Sequence, residues 1–112
     1  SNHICNEQGL CQHQVIECAP NEPCMVRCSF NWACHRTLVQ CPENQLCSVT
    51  CSYHDDVQSV ALHGQRMCED IVINATQSAL LFVNATLGDV SHLYAYPQTM
   101  ENAHIYCPRN DR

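Results

Sequence analysis

The sequence predicts an all-β protein: a disulfide-stapled parallel β-helix (solenoid) of about five coils with 22–23 residues per coil. Three observations carry this prediction. Nine cysteines (Cys5, Cys11, Cys18, Cys24, Cys28, Cys34, Cys41, Cys47 and Cys51) are spaced by 6, 7, 6, 4 and again 6, 7, 6, 4 residues, and a fixed period of that length marks a stacked architecture. Pairs of inward residues separated by one position recur at the same step, the alternation of a strand with one buried face. Proline and asparagine collect between those pairs, where Pro fixes φ and Asn tolerates a left-handed conformation.

The elements follow in order. The chain reads as one β-helix repeat domain over 1–112, with cysteine-rich coils in 1–56 and cysteine-poor coils in 57–112. A first strand column is Ile16/Cys18, Val39/Cys41, Ala61/His63, Val83/Ala85 and Ile105/Cys107; a second is Val26/Cys28, Val49/Cys51, Ile71/Ile73 and Leu93/Ala95, with Cys5 one unit earlier. Corners fall at Ala19-Pro20-Asn21-Glu22-Pro23, Pro42-Glu43-Asn44-Gln45 and Asn84-Ala85-Thr86-Leu87-Gly88-Asp89. A thin solenoid buries few side chains per coil, so covalent staples compensate in the first half, while Ile71-Val72-Ile73 and Leu80-Leu81-Phe82-Val83 supply apolar bulk in the second. Ten cysteines, the nine above and Cys68, are expected in disulfides. Four per unit allow three connectivities, and the spacing does not choose among them.

Composition sets the compartment. Eleven cysteines in 112 residues is the density of a disulfide scaffold, which places the protein in an oxidising setting, secreted or at the cell surface. Zinc modules favour paired C-x2-C ligands, and the chain contains none. No apolar run approaches the roughly 18 residues of a membrane helix; the longest, Ala79 to Val83, is strand-sized. The start, Ser1-Asn2-His3, carries no leader features and reads as a mature or trimmed end. A net charge of −6, with five arginines and no lysine, argues against nucleic acid, which needs a basic face.

The strings Cys41-Pro42-Glu43-Asn44-Gln45-Leu46-Cys47-Ser48-Val49-Thr50-Cys51 and Ile105-Tyr106-Cys107-Pro108 resemble the CPxxxxCxxxC repeats of large secreted proteins from algae and other protists. The resemblance implies a right-handed parallel β-helix in an extracellular repeat protein, and it brings no catalytic residues with it. The first copy departs from the pattern, with Ala19 inserted before Pro20, and the third lacks most of its cysteines.

Two sequons, Asn74-Ala75-Thr76 and Asn84-Ala85-Thr86, are N-glycosylation acceptors in a secreted protein. With Ile71 and Ile73 inward, Asn74 points outward; with Val83 and Ala85 inward, Asn84 does too. Covalent N-glycans are therefore expected, and no cofactor. Of the seven histidines, His54-Asp55-Asp56 and Cys34-His35 are the best metal clusters, but neither has ligand spacing, and no metal site is assigned. Catalytic motifs are absent. Asp55, Asp56, Glu69 and Asp70 would be the acids of a carbohydrate-cleaving β-helix, yet adjacent residues point apart, so no catalytic residue is assigned and the chain is not expected to be an enzyme. Thr37, Thr50, Thr76 and Thr86 form no ladder of the kind an ice-binding face requires.

The chain starts, at Cys5, in the phase of the second column and finishes, after Cys107, in the first. Open edges of this kind are complementary, and a head-to-tail contact propagates into filaments when it does not close. An odd cysteine count leaves a thiol over. Cys107 is expected to join Cys5 or Cys11 of the next copy, the alternatives being a slice of a longer chain or an unpaired thiol. The expected function is an extracellular structural glycoprotein that stacks on copies of itself into a fibril or cell-surface appendage. The alternative is a monomeric secreted module that recognises carbohydrate or protein along one face.

Overall fold

The computed structural model describes residues 1–7, 9–29, 32–51, 67–85, 100 and 102–108. These form eight strands: β1 (Asn2–Cys5), β2 (Val15–Glu17), β3 (Cys24–Cys28), β4 (Leu38–Gln40), β5 (Leu46–Cys51), β6 (Val72–Asn74), β7 (Leu80–Ala85) and β8 (His104–Tyr106). No helix occurs among the described residues. Odd-numbered strands make one sheet in the order β1-β3-β5-β7, even-numbered strands a second in the order β2-β4-β6-β8. Every pairing is parallel. Parallel neighbours cannot be joined by a tight hairpin, and the chain meets that constraint by visiting the other sheet between them.

Alternation explains the strands. In Cys24-Met25-Val26-Arg27-Cys28 the first, third and fifth residues are buried and the other two exposed. Val26 stands in register with Val49, and Val49 with Val83. The second sheet has one inward column, Ile16, Val39, Ile73 and Ile105. Val26, Val39, Val49, Ile71 and Ile73 are almost fully buried and share the core with the cysteines.

The expected constant step of 22–23 residues holds only for the first layers. Cys5 pairs with Cys28 and Cys28 with Cys51, but Val49 then pairs with Val83 and Val39 with Ile73, each 34 residues on, and Ile73 with Ile105, 32 on. Val83/Ala85 therefore belongs to the second column and Ile71/Ile73 to the first, the reverse of the sequence assignment. Each sheet has four strands among the described residues, where about five coils were expected. The physical reason is a lengthened corner after the first sheet: Cys28–Cys34 spans 6 residues, its counterpart Cys51–Cys68 spans 17, and the next, Ala85 to Met100, spans 15. After Cys68 the rhythm resumes with other residues. Ala75, Leu81 and Ala85 follow at spacings of 7, 6 and 4, as Cys41, Cys47 and Cys51 follow Cys34. Leu81 is in register with Cys47 and Ala85 with Cys51. Two expected column members, Ala61/His63 and Leu93/Ala95, lie outside the described residues.

Ten cysteines pair sequentially: Cys5–Cys11, Cys18–Cys24, Cys28–Cys34, Cys41–Cys47 and Cys51–Cys68. Each bridge links the end of a strand to the corner next to it. Cys107 is a free, exposed thiol. The corner after the first sheet repeats in every layer, with positive φ at Cys11, Cys34, Cys68 and Met100 and again two residues later at His13, Arg36, Asp70 and Asn102. Asn, Asp and His tolerate the left-handed region, which suits Asn102, Asp70 and His13; for the other five residues it is costly. Hydrogen bonds between layers hold it in place: the N–H groups of Cys34, Cys68 and Met100 donate to the carbonyls of Leu10, Ala33 and Met67.

Candidate functional site

Three features carry chemistry: the sheet edges, the corner ladder and the two sequons. Among the described residues, β1 and β7 bound the first sheet, and β2 and β8 the second. Edge strands are normally blunted by lysine, proline or inward charge. β7 (Leu80-Leu81-Phe82-Val83-Asn84-Ala85) and β8 (His104-Ile105-Tyr106) contain none of these, and Leu80, Phe82, Ile105 and Tyr106 are exposed. At the opposite end Ile4 of β1 and Val15 of β2 are exposed as well. The amino group of Ser1 donates to the Pro23 carbonyl (2.6 Å) and pairs with Glu22 (2.9 Å), which ties β1 onto the next layer.

The corner ladder was not anticipated. Gln12, His35 and Glu69 each follow a bridged corner cysteine and stack one above another. The Gln12 amide nitrogen lies 3.1 Å from His35 Nδ1, and Glu69 Oε1 lies 3.1 Å from Nε2. With the amide donating to Nδ1, Nε2 holds the ring proton and donates it to the carboxylate. His13 and Trp32 meet the imidazole edge-on at centroid distances of 5.4 and 5.0 Å, and Thr37 donates its hydroxyl to the Cys11 carbonyl beside them. His35 and Glu69 are both buried, so the ladder is a buried polar network. Replacing His35 by Phe keeps a ring of similar size and withdraws both hydrogen bonds. A loss of about 1–3 kcal/mol is expected, read as a lower denaturation midpoint of the oxidised protein with unchanged m-value.

Among the described residues, the two candidate carboxylates engage different partners. Glu69 faces His35, whereas Asp70 turns to Arg36, whose Nε is 3.5 Å from Oδ2. Asp55, Asp56 and His54 lie outside the described residues. His35, Glu69 and Asp70 bring three potential ligand atoms within 4.8 Å of one another, but the His35–Glu69 hydrogen bond and the Arg36–Asp70 ion pair already engage them. The cysteine-containing clusters are made of bridged sulfurs, which offer no thiolate.

Asn74 and Asn84 sit on different sheets. Asn84 is exposed on β7. Asn74, at the end of β6, is half-buried: its amide donates to Gln40 Oε1 (3.1 Å), and its Oδ1 accepts from the Thr76 hydroxyl (3.0 Å). Thr86, which completes the second sequon, lies outside the described residues. Cys107 continues the column of Cys18, Cys41 and Ala75, as the equivalent bonds from the Cys18, Cys41 and Ala75 N–H groups to Gln40, Asn74 and Tyr106 indicate. Cys5 and Cys11, its expected partners in a neighbouring copy, are bridged to each other.

Fold and surface together define a small disulfide-rich all-β domain of two parallel sheets. Its five bridges suit an oxidising, extracellular environment, and among the described residues no helix is long and apolar enough to cross a membrane. No family model, curated protein or solved structure matches the chain.

Proposed function

We propose that the two sheets are the faces of a disulfide-stapled parallel β-helix, and that this solenoid is an extracellular structural glycoprotein stacking head-to-tail into a fibril or cell-surface appendage. One observation carries the reading: both sheets are wholly parallel and end, among the described residues, in apolar strands without a blunting charge or proline. Because all strands run the same way, the free edge of β7 matches the free edge of β1 on a second copy, and β8 matches β2. Such a contact is heterologous and repeats without limit unless its rotation closes a ring. In the docked pair the column Cys5, Cys28, Cys51, Ala85 would continue into the next copy's Cys5, and the Val83 column into the next His3.

Two further parts belong to this reading. Glycans on Asn74 and Asn84 lie on lateral faces and keep filaments from associating side by side, while the stacking edges stay free. Cys107 is the unbridged cysteine and supplies a covalent link between copies. In the stacked pair Cys107 continues the column of Cys18, so it meets the Cys18–Cys24 bridge of the next copy rather than the expected Cys5 or Cys11. The link proceeds by thiol–disulfide exchange, with the Cys107 thiolate attacking and the displaced cysteine leaving as thiolate.

Electron microscopy of the native protein, with and without reductant, tests the assembly. Four strands per sheet at a spacing of about 4.8 Å predict filaments with an axial repeat of about 19 Å that break down when the disulfides are reduced. Dispersed particles at high protein concentration would overturn the fibril and favour a monomeric binding module.

A further inference from the structure

Phe82 is an aromatic ring that neither the fold nor the proposed assembly accounts for. On β7, Leu81 and Val83 stand in register with Cys47 and Val49 and turn toward the interior, while Leu80, Phe82 and Asn84 face outward. Phe82 is 56% exposed. It lies on the face of the sheet, not along its hydrogen-bonding edge, so end-to-end pairing would leave it in water. Its register partner is Ser48, whose own partner is Met25. Leu80 stands in register with Leu46. Met25, Leu46, Leu80 and Phe82 thus form an exposed apolar strip on the outer face. Asn84 lies at one end of that strip, two residues beyond Phe82, and alternate residues on one strand project from the same face about 6.6 Å apart.

We propose that Asn84 and Phe82 form one site, in which the first N-acetylhexosamine of a glycan attached to Asn84 folds back and stacks on the phenyl ring. The apolar C–H face of a pyranose complements the electron-rich face of an aromatic ring, whose quadrupole is negative there. Attachment through Asn84 removes most of the translational cost of bringing the two together. The sugar arrives by group transfer: the Asn84 amide nitrogen attacks C1 of a lipid-pyrophosphate-linked oligosaccharide. The C–N bond forms as the C1–O bond breaks, the amide gives up one proton, and the lipid pyrophosphate leaves. The arrangement recurs on the other sheet, where Asn74 is the register partner of the exposed Tyr106. There the nitrogen bonded to Gln40 keeps one N–H for that bond after glycosylation. The site rests on the acceptor assignment made above and is independent of fibril formation.

The test uses the secreted chain from a glycosylating host, beside Phe82→Ala and Phe82→Trp. Intact mass reports occupancy. Nuclear magnetic resonance reads the protons of the Asn84-linked sugar, and thermal melting is followed before and after enzymatic glycan removal. In the parent the sugar protons are expected upfield, within the ring current of Phe82; the shift disappears in Phe82→Ala and persists in Phe82→Trp. Glycan removal lowers Tm by about 4 °C more in the parent than in Phe82→Ala. Conversion of Asn84 to aspartate on removal is common to all samples and cancels in the comparison. An occupied Asn84 with unshifted sugar protons, or an equal Tm loss in the parent and Phe82→Ala, overturns the stacking alone. An unoccupied Asn84 overturns the acceptor assignment together with it.

Discussion

Replacing Ile73 by alanine is expected to cost the folded domain about 2–5 kcal/mol, the range for truncating a buried isoleucine. Ile73 is fully buried in β6, between Val39 below and Ile105 above. The second sheet has only this one inward column, with strands of three residues, so neighbouring side chains have little freedom to close the cavity. Close packing makes even single methylenes felt, and the loss compares with a total stability of about 5–15 kcal/mol for ordinary domains. Ile105, in the same column but 40% exposed, provides the control: its alanine variant should lose much less. Denaturant titration of the oxidised proteins decides the matter. Equal losses at the two positions would mean that the layers do not stack as described.

Removing the Cys51–Cys68 bridge by a double alanine substitution should cost about 3 kcal/mol, against about 2 kcal/mol for Cys41–Cys47. In the loop-closure account a bridge stabilises by restricting the unfolded chain, so the cost grows with the residues enclosed: 17 for the first pair and 6 for the second. A second effect works in the same direction. Cys51 and Cys68 are both fully buried, and their bridge joins the end of β5 to the corner that starts the third layer. Without it, the longer connection no longer has a fixed end at Cys68, whose left-handed backbone conformation is unfavourable for a residue with a Cβ. Chemical denaturation under oxidising conditions measures both variants. A larger loss for the Cys41–Cys47 pair would refute the ordering and the loop-length account behind it.

Legibility differed between the halves of the chain for a physical reason. In the first half each column contains a cysteine at a fixed spacing, and a disulfide requires its two Cα atoms to be within about 7 Å, so covalent geometry tied the rhythm to the fold. In the second half, Ala75, Leu81, Ala85 and Met100 occupy the places of cysteines, and nothing in their identity distinguishes them from any other apolar residue. Reading on at a constant period put Ile73 and Val83 in the wrong columns. Restarting the count at Cys68 would have placed both correctly. The Gln12-His35-Glu69 ladder became visible only with that phase, because His35 and Glu69 are 34 residues apart and no motif relates them.

The sequence by itself therefore determined the all-β class, the parallel stacking implied by a recurrent strand column, the inward residues of the cysteine-rich strands and the outward placement of Asn84. Tertiary structure decided which strands are neighbours beyond β5, which cysteines bridge, and which polar side chains meet at the corner. The division follows from how parallel sheets are held together. Backbone hydrogen bonds between adjacent strands fix the register locally, whereas the cost of a longer connecting loop rises only slowly with its length. Eleven extra residues between Cys51 and Cys68 can thus shift the period while leaving the hydrogen-bonded ladder on either side unchanged.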